Sequence, residues 1–207
     1  MRGVRPALMV ISDTGVAASG LIEGRVERVL ALARPESVVV QLRDLELETR
    51  ARMALGERLV ALCRRYGQWF VVNDRVDLAL LLGADGVHLG ERSVSPAEVR
   101  AMLPGAFVSH ACHDLDGVVR DGSDAAVLSP IGAPRKGRPA LGVEVLGRAR
   151  ALGDAHEPRL AVYALGGVDA SNAAACIEKG ATGVAVIGAA LDGRDPLPLV
   201  RALRIER

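Results

Sequence analysis

The chain has 207 residues, half of them apolar, enough to bury the core of one domain of ordinary size. Its 26 lysines and arginines nearly balance 25 aspartates and glutamates, so the molecule carries no overall field that would gather nucleic acid or an anionic membrane. Any anion site must therefore be local.

Eight short runs rich in Val, Ile and Leu follow one another: 7–12, 37–43, 69–73, 86–90, 107–112, 125–130, 161–166 and 183–188. Most are continuously apolar, the pattern of strands buried on both faces of a parallel sheet. Between them stand stretches such as "LETRARMALGERLVALCRRY" and "DASNAAACIEKG", whose apolar residues recur at helical intervals. Repeated strand and helix units over about 200 residues predict an α/β fold of the (β/α)₈ TIM-barrel type, occupying residues 1–207 as a single domain. A doubly wound open sheet is the other candidate. Its dinucleotide-binding version lacks support, because "ISDTGVAASG" after the first strand holds no GxGxxG.

Three cysteines, Cys63, Cys112 and Cys176, without CxxC spacing argue against a disulfide framework and a structural zinc site. No segment approaches the ~20 apolar residues of a membrane span, and the N-terminal run is too short for a signal peptide. A cytoplasmic protein is expected, with no nucleic acid and no membrane among its partners.

In a barrel of this type the C-terminal strand ends form one rim. Collecting them brings together Ser12, Asp13, Gln41, Arg43, Asn73, Asp74, His88, His110, His113, Ser129, Gly166, Gly167, Ile187 and Gly188. Gly166, Gly167 and Gly188 stand where such barrels cradle phosphate on main-chain amides, although glycines there also make tight turns. The loop 129–142, "SPIGAPRKGRPALG", concentrates Arg135, Lys136 and Arg138, and reads either as a lid over a phosphorylated ligand or as a solvated basic loop. Arg43 could grip a phosphate or carboxylate in two places. His113, before an expected helix N-cap at Asp114, suits acid/base work, with His110 as the alternative; His88 inside "GVHLG" suits a packed, hydrogen-bonded position. Cys112 reads as an inert buried thiol.

The segments "VISD", "VVNDRVDLALLLGADGVHLGERS", "PIGAPRKGRPALGVEVL" and "YALGGVDASNAAACIEKGATGVAVIGAAL" together resemble the thiamine phosphate synthase and TenI family across essentially the whole chain. The resemblance implies a TIM barrel and an enzyme of thiamine biosynthesis acting on a small phosphorylated heterocycle, with a homodimer as a family expectation. One branch joins hydroxymethylpyrimidine diphosphate to thiazole phosphate with Mg²⁺; the other, a thiazole tautomerase, moves a proton and needs no cofactor. Four positions depart from the synthase pattern: Leu45 stands where a lysine is usual, Ser93 in place of a metal-binding aspartate, Ala111 in place of a serine, and "APRK" in place of a threonine-rich lid. Each removes charge or hydrogen bonds from the pyrophosphate end, so the tautomerase is the leading expectation. His113, Arg43 and Asn73 are then the catalytic candidates, and Gln41, Asp74, Ser129, Lys136, Gly166, Gly167, Ile187 and Gly188 the substrate and phosphate ligands. The synthase is the alternative, with Asp74 on the metal and Glu91 or Asp44 as a replacement carboxylate. A non-catalytic phosphate-binding barrel is the third reading.

Overall fold

The structure, a computed structural model, describes residues 5–17, 21–135 and 137–207. Eight parallel strands, β1 (Leu8–Ile11), β2 (Val38–Leu42), β3 (Trp69–Asn73), β4 (Gly86–Leu89), β5 (Phe107–Cys112), β6 (Ala125–Leu128), β7 (Ala161–Leu165) and β8 (Gly183–Val186), pair in sequence order. β1 also pairs with β8, Leu8 beside Val184 and Val10 beside Val186, which closes the barrel and removes every free edge. The expected runs and the observed strands agree within two residues at each end. The open doubly wound sheet is excluded by the closure.

A strand's side chains alternate between its two faces, so each β run divides into an outer and an inner set. Leu8, Val10, Val38, Val40, Val87, Val108, Val162 and Val184 face out and pack under the helices. Met9, Ile11, Val39, Trp69, Val71, Phe107, Val127, Tyr163 and Ala185 face in and fill the bore. Only five aromatic residues occur in the chain, and three of them plug the N-terminal end of the barrel. Trp69 and Phe107 meet edge to face with centroids 5.5 Å apart, Arg5 lies 5.3 Å from the Phe107 ring, and the buried Tyr163 hydroxyl donates to Pro6 O at 2.6 Å. The bore is therefore sealed at one end and open at the other.

The outer layer runs α1 (Thr14–Ala17), α2 (Ile22–Leu32), α3 (Thr49–Tyr66), α4 (Val76–Leu82), α5 (Pro96–Met102), α6 (Val145–Ala155), α7 (Ala173–Glu178), α8 (Gly188–Leu191) and α9 (Leu197–Ala202). Local sequence sets the ends of several. Ser95 and Glu98 form a capping box at the start of α5, with Pro96 in its first turn. Left-handed Gly67 and Gly83 stop α3 and α4. No helix stands between β5 and β6. The expected N-cap Asp114 instead accepts from Gly117 N at 2.8 Å in a tight turn, and two turns, around Gly117 and Gly122, take up the connection that a helix would need. Val118 from this connection, fully buried, covers the outer core where a helix would lie.

Gly86 marks the tightest approach of two strands: a Cβ there would stand 1.9 Å from Phe107 O and 2.7 Å from Phe107 C, both main-chain atoms. Gly86→Ala therefore has to push β4 and β5 apart, and a loss of roughly 1–3 kcal/mol or more is expected, read as a lower urea midpoint at unchanged slope.

Candidate active site

A cavity of about 640 Å³, within the usual size of small-molecule sites, opens at the C-terminal end of the barrel. Its floor is one residue from the end of each strand or just beyond it: Ile11, Gln41, Asn73, His88, Ala111, Ser129, Leu165 and Ile187. Side-chain alternation and closure together make this ring. Its polar members come from β2, β3, β4 and the exit of β6, and its apolar arc, Leu165, Ile187 and Ile11, from β7, β8 and β1. A flat heterocycle with hydrogen-bonding atoms on one edge matches such a floor.

Around the mouth stand Arg43, Arg92, Arg135 and Arg138 with Asp74 and Glu91. Asp74 sits in the left-handed region (φ 64°), which Asp tolerates better than most residues, and its amide donates to His88 O at 2.8 Å. That turn sets Asp74 at the cavity beside Asn73. Glu91 bridges the mouth, 3.4 Å from the Arg138 guanidinium and 3.8 Å from His113 Nε2. The Arg138 pair is solvent-exposed and exchangeable, while His113 is half-buried.

A second cavity of about 260 Å³ adjoins the first through Arg135, Leu165, Gly166 and Ile187, and is lined further by Gly167, Val168, Asp169, Gly188 and Arg194. A Cβ on Gly188 would meet nothing, so its surroundings are open. Gly166 (φ 94°) and Gly167 (φ 69°) are different: a Cβ on Gly167 would stand 2.7 Å from Ala133 N. Here the loop 129–142 runs along the end of β7, with Ile131 N donating to Leu165 O at 2.9 Å and Gly132 N to Gly166 O at 2.7 Å. The turn reading of these two glycines has a direct physical basis, and the same backbone lines the second cavity.

The histidines separate clearly. His113 lines the cavity, its Nδ1 2.7 Å from Ser129 O; a proton on Nδ1 donated to that carbonyl leaves Nε2 as the basic nitrogen. His110 faces away from the bore among the outward residues of β5, with Nε2 3.0 Å from Gly117 O, which removes it as the alternative acid/base group. His88 belongs to both expectations: it is packed, its Nδ1 2.9 Å from Ser109 Oγ, and it also reaches the floor. Burial, and secondarily the charges of His110 and Arg43, push its pKa down to about 3. It is a neutral hydrogen-bonding group at physiological pH.

Several rim residues from the sequence do not reach the cavity. Ser12 is fully buried and turned aside, its hydroxyl donating to Asp44 and accepting from Arg43 N. Asp44, offered as a replacement metal ligand, is 5 % exposed and spends its carboxylate on Ser12 and Thr14 N. Lys136 lies outside the described residues. Leu45, Ser93 and Ala111, the departures from the synthase pattern, all line the large cavity. Arg92, Ile11 and Leu165 line the cavity without belonging to the set that the sequence suggests; Ile11 lies one residue from Ser12, and the two-residue period of β1 is the signal that selects it.

The family described as thiamine monophosphate synthase matches residues 8–190. The chain belongs to this family. A thiamine-phosphate synthase of Thermus thermophilus is 44 % identical over 172 residues, covering 80 % of this chain and 81 % of that protein. One from Chlorobium luteolum is 33 % identical over 205 residues, 96 % and 91 % of the two chains. Among solved structures, thiamine phosphate pyrophosphorylase from Pyrococcus furiosus superposes with a TM-score of 0.78 at 26 % identity, over 95 % of this chain and 93 % of that one. These relatives carry the synthase name, against the tautomerase reading that the four substitutions favoured. As a member of the thiamine monophosphate synthase family the chain is an enzyme of thiamine biosynthesis.

The family's reaction uses Mg²⁺. Among the described residues no cluster of three or more His, Cys, Asp or Glu could hold a metal alone. Magnesium, however, usually takes one or two carboxylates and completes its shell with water and substrate phosphate oxygens. Asp74 and Glu91 at the same mouth as four arginines fit an ion that arrives with a diphosphate.

The His88 shift has a definite sign. Its folded pKa lies below the unfolded value near 6.5, so the unfolded chain binds the extra proton first and stability falls as pH drops from about 6.5 towards 3. In urea titrations across that window, His88→Gln should show a shallower loss of stability than the wild type; an equal slope would mean His88 charges freely in the native state.

Proposed function

We propose that the protein transfers a hydroxymethylpyrimidine group from its diphosphate to the ring nitrogen of a thiazole phosphate, releasing pyrophosphate. The observation that carries this reading is the presence of two adjoining cavities, each with groups suited to an anion, which meet at Arg135, Leu165, Gly166 and Ile187. The large one is rimmed by Arg43, Arg92, Arg135 and Arg138, and the small one is lined by Gly166, Gly167 and Gly188. A proton-transfer enzyme for one phosphomonoester needs a single such end; joining two phosphorylated heterocycles needs both. The 44 % identity to a named synthase supports the same reading.

In the transfer, the thiazole nitrogen forms the new C–N bond as the C–O bond to the diphosphate breaks; the bonding pair leaves with the bridging oxygen, adding one unit of negative charge to the already anionic pyrophosphate while the ring nitrogen becomes cationic. Asp74 and Glu91 would hold a Mg²⁺ ion, which when bound would supply positive charge to that leaving group. The guanidinium of Arg43, and Arg135 and Arg138 from the loop above, face the same charge. Gln41, Asn73 and Ser129 offer donors and acceptors to the pyrimidine edge, while neutral His88 adds a hydrogen bond without charge. Leu165, Ile187 and Ile11 give the thiazole an apolar seat. In the small cavity main-chain amides around Gly167 and Gly188 take the monoester.

One observation keeps the tautomerase as a second reading. Leu45, Ser93 and Ala111 face the pocket where the synthase pattern puts charge or hydroxyl groups, and His113 holds a basic Nε2 towards the mouth. The two are separated by supplying purified protein with both substrates and Mg²⁺, and in parallel with the non-aromatic thiazole tautomer alone. Thiamine phosphate formed only with Mg²⁺, and abolished by chelation, supports the transfer. Aromatisation of the tautomer lost in His113→Ala, without coupling, supports the second reading; tight thiazole phosphate binding with neither reaction supports a non-catalytic barrel. Under the transfer reading Arg43→Gln and Asp74→Asn should each lower kcat about a hundredfold while the variants stay folded by circular dichroism.

A further inference from the structure

Arg52 in the first turn of α3 is buried, yet its guanidinium meets main-chain carbonyls rather than a carboxylate. Nε donates to Asp44 O at 3.0 Å, and one terminal nitrogen donates to Leu45 O at 2.9 Å and Leu47 O at 3.3 Å. All three carbonyls belong to the loop that carries Arg43 and Leu45 from the end of β2 to the cavity. The other side of that loop is fastened to the exit of β1: Arg43 N donates to Ser12 Oγ at 2.9 Å, and Asp44 accepts from Ser12 Oγ and from Thr14 N at 2.6 Å. Arg52 has no anionic partner among the described residues, and a buried cation so placed is a poor way to gain stability, since an apolar side chain of similar volume avoids its desolvation. It is a good way to fix several carbonyls at once, because the planar fork presents its donors in a set geometry.

We propose that Arg52 is a positioning residue, which fixes the Arg43–Leu47 loop so that the Arg43 guanidinium faces an arriving diphosphate. The inference rests on the transfer reading for the ligand, but its mechanical part concerns the loop alone. It also accounts for Leu45, a half-exposed leucine at a polar mouth: three carbonyl bonds around it hold its backbone in place, so it forms a fixed wall of the cavity.

The test is a double-mutant cycle read by calorimetry with inorganic pyrophosphate at low salt, on the wild type, Arg43→Gln, Arg52→Met and the double variant. Arg52→Met should weaken pyrophosphate binding roughly five- to tenfold in the wild-type background and not at all once Arg43 is Gln. Its urea midpoint should stay near that of the wild type, and Arg52→Lys, which retains donors for the carbonyls, should recover part of the affinity. Equal losses in both backgrounds, or no loss, overturn the proposal. Hydrogen exchange gives a readout that needs no ligand: the amides of Arg43–Leu47 should exchange faster in Arg52→Met, with the barrel strands unchanged. Unchanged protection of those amides overturns the positioning role even if pyrophosphate fails to bind the wild type, a result that would instead sink the transfer reading. Should Arg52→Met not fold, Arg52→Lys carries the same exchange measurement, and protection equal to wild type in a variant that has lost pyrophosphate affinity also counts against the proposal.

Discussion

Closure of the sheet, β1 against β8, is the constraint on which everything else depends. An open sheet with the same strands would spread their ends along a line; the closed one turns them into a ring. Because side chains alternate strictly, each strand then has no choice but to send every second residue into the bore, and the last inward residue of each becomes part of one floor. Residues as remote in sequence as Ile11 and Ile187 become neighbours around a ligand for this reason alone. The site's chemistry is thus a selection made at eight positions already fixed by the fold, with apolar choices on one arc and polar choices on the other.

Above this rigid floor the rim consists of loops, and the structure holds them by saturating their carbonyls. Arg52 does so for the β2 exit, and Arg120 does so for the β4 exit, donating to Gly90 O at 3.1 Å and Val94 O at 3.0 Å. Loop backbone cannot pair with a neighbouring strand, and a long donor-rich side chain supplies the missing partners. The β6 loop is held differently, by continuing the strand ladder past Leu165 to Gly166 and folding back through Leu141 N to Pro130 O at 2.8 Å. The tight packing that excludes a side chain at Gly167 is the cost of that arrangement.

Much of this was readable in the sequence, because it depends on local pattern. Continuous apolar runs announced buried parallel strands, and Gln41, Asn73, Ser129 and Ile187 stand on the floor because a strand's end places its residues at the rim whatever the neighbours are. What could not be read is which face a residue takes at the exit, and how the rim is tied. Ser12 is the residue the β1 exit offers and His110 stands as the alternative to His113, while Ile11 draws no attention; only the pleat of each strand, which a one-residue shift inverts, brings Ile11 and His113 to the bore and turns Ser12 and His110 away. Asp44 is available for a cation by residue type alone, and the two hydrogen bonds that occupy its carboxylate have no signature in the sequence. The missing helix after β5 was hidden by a polar connection that closes in turns around Gly117 and Gly122 instead, and Arg52 by a helical context in which an arginine is ordinarily a solvated surface residue.

The aromatic plug has its own consequence. With Trp69, Phe107 and Tyr163 stopping the bore from below, the chamber is a blind well, and water lying under a ligand has one way out, past the rim. A single flap over the mouth is enough to turn it from wet to dry, where an open-ended tube would require two stoppers moving in concert.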